Sequence, residues 1–323
     1  MTPFEKKFLE RLRVKSLIKK NEKVLLAFSG GADSMALLSL LKKVQPFLNL
    51  QLAAAHCNFG LRGEESDADE TFCQMQCDAL EIPIFTIHFD TKHFAQQHKM
   101  SIEEAARHLR YNFFYKLAEI ERCSKIATAH HANDNAETIL FNLFRGSSLL
   151  GLKGIRVKHE KLVRPLLGFK RAELIEYLES QQLPYRLDLT NLSDAYDRNF
   201  IRLKVIPLIE ERFKHKLLPN LLRLSENGTE LDVFLNAHFE KLTSQNGLNP
   251  FEQQLHVPSL QMLSKFEQKE IFKRALACFS IDPNANRLSR LCDLLETQAG
   301  RKVILSKDLE VIWKGKWLYF LNG

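Results

Sequence analysis

Along the first 150 positions, apolar residues fall in short runs separated by longer stretches of helical period. Val24–Phe28 (VLLAF), Leu52–His56 (LAAAH), Ile84–Phe89 and Ile126–Ala129 are nearly continuous and apolar, the pattern of strands buried on both faces. Between them, Met35–Leu41, Ser66–Leu80, Ser101–Glu121 and a segment from Asn133 to about Phe144 carry helical spacing. The third opens with Ser101-Ile-Glu-Glu104, a capping box in which the N-cap hydroxyl and the Glu each satisfy an orphan backbone N–H. Alternation of this kind predicts right-handed βαβ units, hence an α/β domain whose parallel sheet has helices on both faces.

After Gly154 the pattern changes. Leu162–Leu167 is one short extended run containing Pro165, and Lys170–Gln182 is helical. Leu183–Arg198 is polar and loop-like, and from Phe200 onward four helices are expected, at roughly 199–214, 219–243, 258–279 and 283–298. The chain closes on a β-pattern, Lys302–Leu305, Leu309–Trp313 and Trp317–Leu321, with Lys314-Gly315-Lys316 at a turn. Two domains are therefore expected: 1–215, and a smaller, mainly helical 216–323 ending in a short β segment.

Composition narrows the class. With 323 residues, 45% hydrophobic and 26% charged, the chain is neither disordered nor collagenous, and no stretch has the ~18 consecutive apolar residues of a membrane span. The basic first twenty residues contain no apolar core of a secretory signal. Cys57, Cys73, Cys77, Cys123, Cys278 and Cys292 form no CxxC pair and read as reduced thiols of a cytoplasmic protein. The net charge of +7 is uneven: residues 51–100 hold three Lys and Arg against eight Asp and Glu, whereas Lys153–Arg171 holds seven basic residues and one acid. Arg198–Arg223 holds seven basic residues and two acids. Two such clusters suit a phosphate backbone, although each alone also suits a solvated face.

The strongest chemical signal is Ser29-Gly-Gly-Ala-Asp-Ser34, placed directly after the VLLAF strand and before a helix. Two glycines let the backbone approach a ligand, while Ser29, Ser34 and the first helical amides can donate to phosphate oxygens. Ionised Asp33 cannot donate, so a Mg²⁺ bridged to phosphates is the job it suits. The loop is neither a GxxxxGK[ST] nor a GxGxxG pattern.

SGGADS resembles the PP-loop of the N-type ATP pyrophosphatases, which cleave ATP between the α and β phosphates and transfer AMP to a substrate oxygen. Later segments are similar to one branch, the tRNA(Ile)-lysidine synthetase family. His56-Cys-Asn-Phe-Gly-Leu-Arg62 resembles its His-x-Asn/Asp-His-Gly-Leu-Arg pattern, with Phe59 at the second His. Glu103-Glu-Ala-Ala-Arg107 with Arg110-Tyr111 resembles an E-x-x-A-R-x-x-R-Y helix. Thr128-Ala-His-His131 with Asp134 and Glu137-Thr138 resembles T-A-H-H-x-x-D-x-x-E-T, followed by Arg145-Gly-Ser147. Arg164-Pro-Leu-Leu167 and Asp188-x-x-Asn191…Tyr196-Asp-Arg-Asn-Phe-Ile-Arg202 complete the set, which spans about residues 20–215.

The resemblance implies an adenine nucleotide alpha hydrolase-like fold and ATP-dependent joining of lysine to C2 of a wobble cytidine. It implies ATP and Mg²⁺ as cofactors, with tRNA(Ile) bearing a CAU anticodon and free L-lysine as partners, no membrane partner, and a homodimer left open. Carried onto this chain, ATP falls to Ser29, Gly30, Gly31, Ala32, Asp33, Ser34, His56, Arg107 and Arg110. Asp33, Asp134, Glu137 and Arg107 are the catalytic candidates, with Asp33 the metal ligand. His130, His131, Arg145, Arg164, Arg198 and Arg202 are assigned to tRNA or lysine. Family members commonly carry a further C-terminal domain, whereas this chain stops soon after Trp317–Leu321.

Blander readings stand beside these. His130 and His131 also suit a strand end, Asp134 and Glu137 suit ordinary acids at a helix start, and Arg107 and Arg110 suit a solvated helix face. Two other functions stay open: a PP-loop sulfur-inserting enzyme, for which Cys73 and Cys77 would have to serve, and a non-catalytic RNA-binding module.

Overall fold

The computed structural model describes residues 1–147, 149–186, 197–214 and 216–322. They form two compact units, Met1–Gly228 and Thr229–Gly323. The division falls inside a long helix, thirteen residues beyond the 215/216 boundary expected from the sequence. Asp188, Asn191 and Tyr196 of the expected motif lie outside the described residues.

The first unit opens with α1 (Pro3–Val14), capped reciprocally by Thr2 and Glu5, which turns the basic N-terminal stretch into an amphipathic cover with Phe8 and Leu12 buried. Then β1 (Lys23–Ala27), α2 (Ala32–Leu48), β2 (Gln51–Asn58), α3 (Glu64–Ala79), β3 (Ile84–His88), α4 (Thr91–His98), α5 (Ile102–Ile120), β4 (Lys125–Ala127) and α6 (Ala132–Phe144) alternate as the pattern predicts. The Ser101–Glu104 capping box of α5 is formed. Expected Leu162–Leu167 divides: β5 (Lys158–His159) pairs antiparallel with β6 (Leu162–Val163), and the chain then leaves the sheet in a 3-10 turn, Pro165–Gly168. Pro165, with no N–H to give the ladder, begins that turn. α7 (Arg171–Ser180), α8 (Asp197–Phe200), a π-helical stretch at Ile201–Val205, α9 (Ile206–Arg212) and α10 (Leu217–Gln245) follow.

The sheet order is β3-β2-β1-β4-β6-β5, parallel except at β5. Strand residues alternate between two cores. Val24, Leu26, Leu52 and Ala54 pack with α1, α2 and α7, whereas Leu25, Ala53, Ala55 and Ile126 pack with Phe114 and Leu117 of α5. Successive connections run outward to opposite sides of β1, so the order reverses between β1 and β4. In open α/β sheets that reversal opens a crevice at the carboxyl ends of the strands. The SGGADS loop leaves β1 and Thr128–His131 leaves β4, so the two strongest motifs flank the crevice.

The second unit has its own core, in which Phe272, Leu276, Leu291 and Phe320 are buried. Beyond the end of α10, β7 (Gln254–His256), α11 (Val257–Gln261), α12 (Lys265–Cys278), α13 (Ala285–Leu294), β8 (Lys302–Ile304), β9 (Leu309–Lys314) and β10 (Trp317–Asn322) follow, with the antiparallel order β7-β10-β9-β8. The helix expected over 258–279 is two helices, because Ser264 caps α12 with Glu267 and stops α11 before it.

Candidate active site

The phosphate loop is folded around its own hydroxyls. Ser29 N–H donates to Ser34 Oγ at 3.3 Å, Ser34 Oγ–H donates to the Gly31 carbonyl at 2.9 Å, and the two hydroxyls lie 3.2 Å apart. Gly30 has φ +79°, a left-handed conformation that glycine adopts without strain. A Cβ there would also come within 3.1 Å of Cys73 Sγ and of the Phe72 ring. Gly31 is the N-cap of α2 and brings no side-chain acceptor, so the first amides of α2 keep their donors for a ligand. His56 lies beneath the loop, its Nδ1 2.9 Å from the Phe28 carbonyl, and burial pushes its pKa down, which favours the neutral ring.

On the other side of the crevice, His131 caps α6. Its backbone N–H donates to Asp134 Oδ2 at 2.9 Å, and the Asp134 N–H donates to His131 Nδ1 at 3.3 Å. That leaves the neutral ring with its proton on Nε2, 3.5 Å from Asp33 Oδ2 across the crevice. The imidazole thus links phosphate loop and helix. Burial opposes charge on both partners, but each shift ends in the direction of the ion pair. His131 moves up because Asp33 and Asp134 outweigh its burial, and Asp33 moves down because His131, Arg171 and Arg202 outweigh its own. Asp33 Oδ1 is buried with no hydrogen-bond partner.

Glu137, one turn along α6 and 4% exposed, receives a bidentate clamp. Arg202 Nε donates to Oε1 at 2.7 Å and Nη2 to Oε2 at 2.8 Å, and Nη2 also lies 3.6 Å from Asp134 Oδ1. Arg202 sits in the π-helical stretch, a distortion that recurs at functional positions. Asp33, His131, Asp134, Glu137 and Arg202 therefore form one connected chain of charges. The sequence reading assigns Arg202 to tRNA; its guanidinium is here engaged with these carboxylates.

His130 belongs to a second group. Its Nδ1 lies 3.0 Å from Thr128 Oγ1, and burial brings its pKa down to about 4, aided by Arg164, Arg107 and Arg110 against Asp134. It is therefore a neutral ring at physiological pH, able to accept or donate a hydrogen bond but a weak base. Arg164 is buried, donating from Nη1 to the Arg156 carbonyl at 2.6 Å, while its Nε has no partner. Arg107 stacks over Tyr111 at 4.9 Å, and Arg110 over Phe59 at 5.2 Å. Phe59, at the usual second-His position, is an aromatic platform that also stacks on Phe89 at 5.8 Å.

Arg145 and Arg198 stand apart from these groups. Both lie over the Phe141 ring, at 5.2 and 5.4 Å, and Phe141 is one turn beyond Glu137 on the same side of α6. Both are exposed, as are Leu143, Phe144 and Phe200 nearby in sequence. The positive excess follows the site: Met1–Gly228 holds 34 Lys and Arg against 28 Asp and Glu, Thr229–Gly323 only 12 against 11.

Sequence reasoning missed two contributors. Arg171 heads α7, where its N–H donates to Asn133 Oδ1 at 3.0 Å, and its charge helps hold Asp33 ionised. Arg186 donates its backbone N–H to the Gly30 carbonyl at 2.9 Å and its Nε to Asp69 Oδ1 at 2.7 Å. Membership of a basic cluster was the one signal for Arg171, and none marked Arg186. Cys73 and Cys77, the pair a sulfur-inserting enzyme would have to use, are buried in α3, and burial pushes both thiols up, Cys77 to about 12. Thiolate chemistry is disfavoured there. Among the described residues no three His, Cys, Asp or Glu side chains converge on a metal-sized cage, and no helix is long and apolar enough to cross a membrane.

Comparisons with known proteins give the family. The profile of the family described as "PP-loop domain" matches residues 2–209. A tRNA(Ile)-lysidine synthase of Chlorobaculum tepidum is 48% identical over 321 residues, 99% of this chain and 97% of its own. Synthases of the same name from Parabacteroides distasonis (47% over 204 residues) and Bacteroides thetaiotaomicron (44% over 247) match 63% and 76% of this chain but 45% and 57% of theirs. The chain thus spans nearly all of the first relative and about half of the other two. Among solved structures, a U34-tRNA thiolase from Methanococcus maripaludis that carries a [4Fe-4S] cluster superposes with a TM-score of 0.56 at 23% identity, over 69% of this chain and 78% of that one, a likeness of fold. With the phosphate loop and the His-His-x-x-Asp-x-x-Glu turn on the two sides of one crevice, and with relatives at this identity over the full length, the chain belongs to the PP-loop domain family and, within it, to the tRNA(Ile)-lysidine synthases.

Proposed function

We propose that this chain joins free L-lysine to C2 of the wobble cytidine in a CAU-anticodon tRNA(Ile), consuming ATP and releasing AMP and pyrophosphate. The observation that carries the reading is the continuous link from phosphate loop to carboxylate helix, Asp33–His131–Asp134–Glu137–Arg202, across the switch point. In the first step the cytidine O2 attacks the α-phosphorus and the bond to the β-phosphate breaks, so pyrophosphate leaves. In the second the lysine ε-amine adds at C2, AMP departs with O2, and the amine gives up its proton.

The loop hydroxyls and α2 amides supply donors for the phosphates as negative charge moves onto pyrophosphate. Asp33, with its orphaned Oδ1, and Asp134 are the carboxylates that would hold Mg²⁺ against those phosphates, a donor set of one or two carboxylates that suits this ion. Bound there, the ion would neutralise phosphate charge. Arg107, Arg110 and Arg164 surround neutral His130 and give the adenylate or the cytidine a cationic wall.

A lysine ammonium with a pKa near ~10.4 must lose its proton before attack, and desolvation beside these cations favours that loss. Glu137 is held by Arg202 and His130 titrates at about 4, whereas Asp33 and Asp134 raise the pKa of His131 against its burial, so His131 is the group on this turn best suited to receive or relay the proton. Arg145 and Arg198, both over Phe141 one turn farther along α6, suit the anticodon-stem phosphates. The test is to incubate the protein with ATP, Mg²⁺, labelled lysine and an unmodified CAU-anticodon tRNA(Ile) transcript. Label in the tRNA, with one pyrophosphate per lysine, is the expected result, and absence of label despite tRNA and ATP binding overturns the proposal.

A further inference from the structure

The phosphate loop is held from outside as well as from within. On one side of Gly30 stand Phe72 and Cys73 of α3, and on the other its carbonyl takes the N–H of Arg186, in an isolated parallel bridge between Gly31 and Arg186. Arg186 is itself anchored. Its Nε donates to Oδ1 of Asp69 at 2.7 Å, while Oδ2 of the same carboxylate accepts from Arg62 Nη2 at 2.6 Å. Asp69 is 9% exposed and lies one turn before Cys73 on α3. One buried carboxylate therefore gathers Arg62, just beyond β2, and Arg186, just beyond α7, onto the helix that backs the glycine pair.

We propose that Arg186 is a positioning residue for the phosphate loop: held by Asp69, it pins the Gly30 carbonyl and keeps the Ser29–Ser34 backbone in its ATP-accepting shape. The physical need is entropic. Two adjacent glycines populate both signs of φ in the absence of contacts, so a loop carrying them binds a polyphosphate well only if something else selects one conformer. Arg186 touches the loop through its main chain and not through a group aimed at phosphate, which separates this role from that of an arginine ligand. With its side chain removed, Asp69 keeps Arg62, so the fold loses one partly exposed ion pair and little stability.

The inference needs only ATP in the loop and nothing of the lysine step, so its readout is nucleotide binding, and failure of the lysidine reaction would leave it standing. The probe is the α,β-methylene analogue of ATP with Mg²⁺, titrated calorimetrically into the full chain. Arg186→Ala is expected to weaken binding about three- to tenfold, the loss of roughly one net hydrogen bond's worth of ordering, with the melting temperature nearly unchanged. Arg186→Lys, which keeps a charge for Asp69, is expected to recover most of that loss. Asp69→Asn provides the decisive sign. It removes the negative charge that two guanidiniums beside the phosphate site share and the acceptor of one of them, so a purely electrostatic role predicts tighter binding and a positioning role predicts weaker binding. Analogue affinity within twofold of the parent in folded Arg186→Ala, or tighter binding by Asp69→Asn, overturns the proposal; should Arg186→Ala not fold, the lysine and asparagine variants decide it.

Discussion

Replacing Arg202 by Ala tests the connected charge chain where its energy is concentrated. The guanidinium makes two charge-assisted bonds to Glu137, at 2.7 and 2.8 Å, and Glu137 has a side chain only 6% exposed. Removing one partner of a fully buried pair costs about 3–5 kcal/mol, because an uncompensated charge stays behind. Arg202 is 27% exposed, so water reaches the vacated space and the penalty falls to about 2–3 kcal/mol. For a unit of this size each kcal/mol moves the midpoint by about 2–4 °C, giving a drop of about 4–12 °C. The assay is a urea and thermal melt of Arg202→Ala, Glu137→Gln and the double variant. If the clamp is what holds Glu137, the double variant recovers part of the loss, with a coupling energy of at least about 1 kcal/mol. Additive single losses, or an Arg202→Ala midpoint within about 1 °C of the parent, would refute the reasoning.

Other perturbations separate the remaining parts of the site. Gly30→Ala forces a Cβ into a φ of +79° and against Cys73 and Phe72; a loss of about 1–2 kcal/mol and collapse of tRNA-dependent pyrophosphate release are expected, and retained release would count against the loop's geometry. Asp33→Ala should abolish pyrophosphate release, whereas release at the parental rate would remove Asp33 from the phosphate site. The raised pKa of His131 means that its stabilising contribution is complete below about pH 6.5 and fades as pH rises through the folded value; that of Asp33, whose pKa is lowered, is complete above about pH 3.9 and fades as pH falls through its folded value. Imidazole NMR should accordingly find His131 titrating above 6.5 and His130 at about 4, and Asp33→Ala should bring the His131 midpoint down; an unmoved midpoint would break the link. Arg145→Ala and Arg198→Ala should each lower the salt slope of tRNA binding by about 1, measured by filter binding between 50 and 200 mM salt, and an unchanged slope would clear that face of phosphate contacts.

The fold was legible wherever a single element carried its own signal. β1, β2 and β4 are apolar because both faces are covered, and α5 announced its start in the Ser101–Glu104 box. β7, three residues long with only Leu255 buried, and β5, exposed throughout, owe their strand form to a partner across the sheet, so no local pattern marks them. The site divides in the same way. Asp33, His131, Asp134 and Glu137 sit in two short motifs whose spacing already places them at loop and helix starts. The pairing of Arg186 with Asp69 joins positions 117 residues apart, and that of Arg202 with Glu137 joins positions 65 apart, so only the folded chain brings them together. Phe59 shows the converse: it departs from the family pattern at the second His, and the structure gives that position an arginine and a second aromatic ring as neighbours.

His131 holds the first turn of α6 with one ring nitrogen and faces Asp33 with the other. An asparagine there could cap the helix but would bring no titrating partner to the loop, and a lysine could bring charge but accept nothing from the helix. The two duties therefore cannot be inherited separately, and the ring acts as a mechanical fuse between nucleotide pocket and scaffold. A ligand that draws Asp33 toward itself loosens the hold on the ring, and the Asp134 amide hydrogen, one of the few backbone protons tied to a side chain in the crevice, should exchange faster with solvent. That single amide would report occupancy of the pocket in a sample containing no tRNA and no lysine.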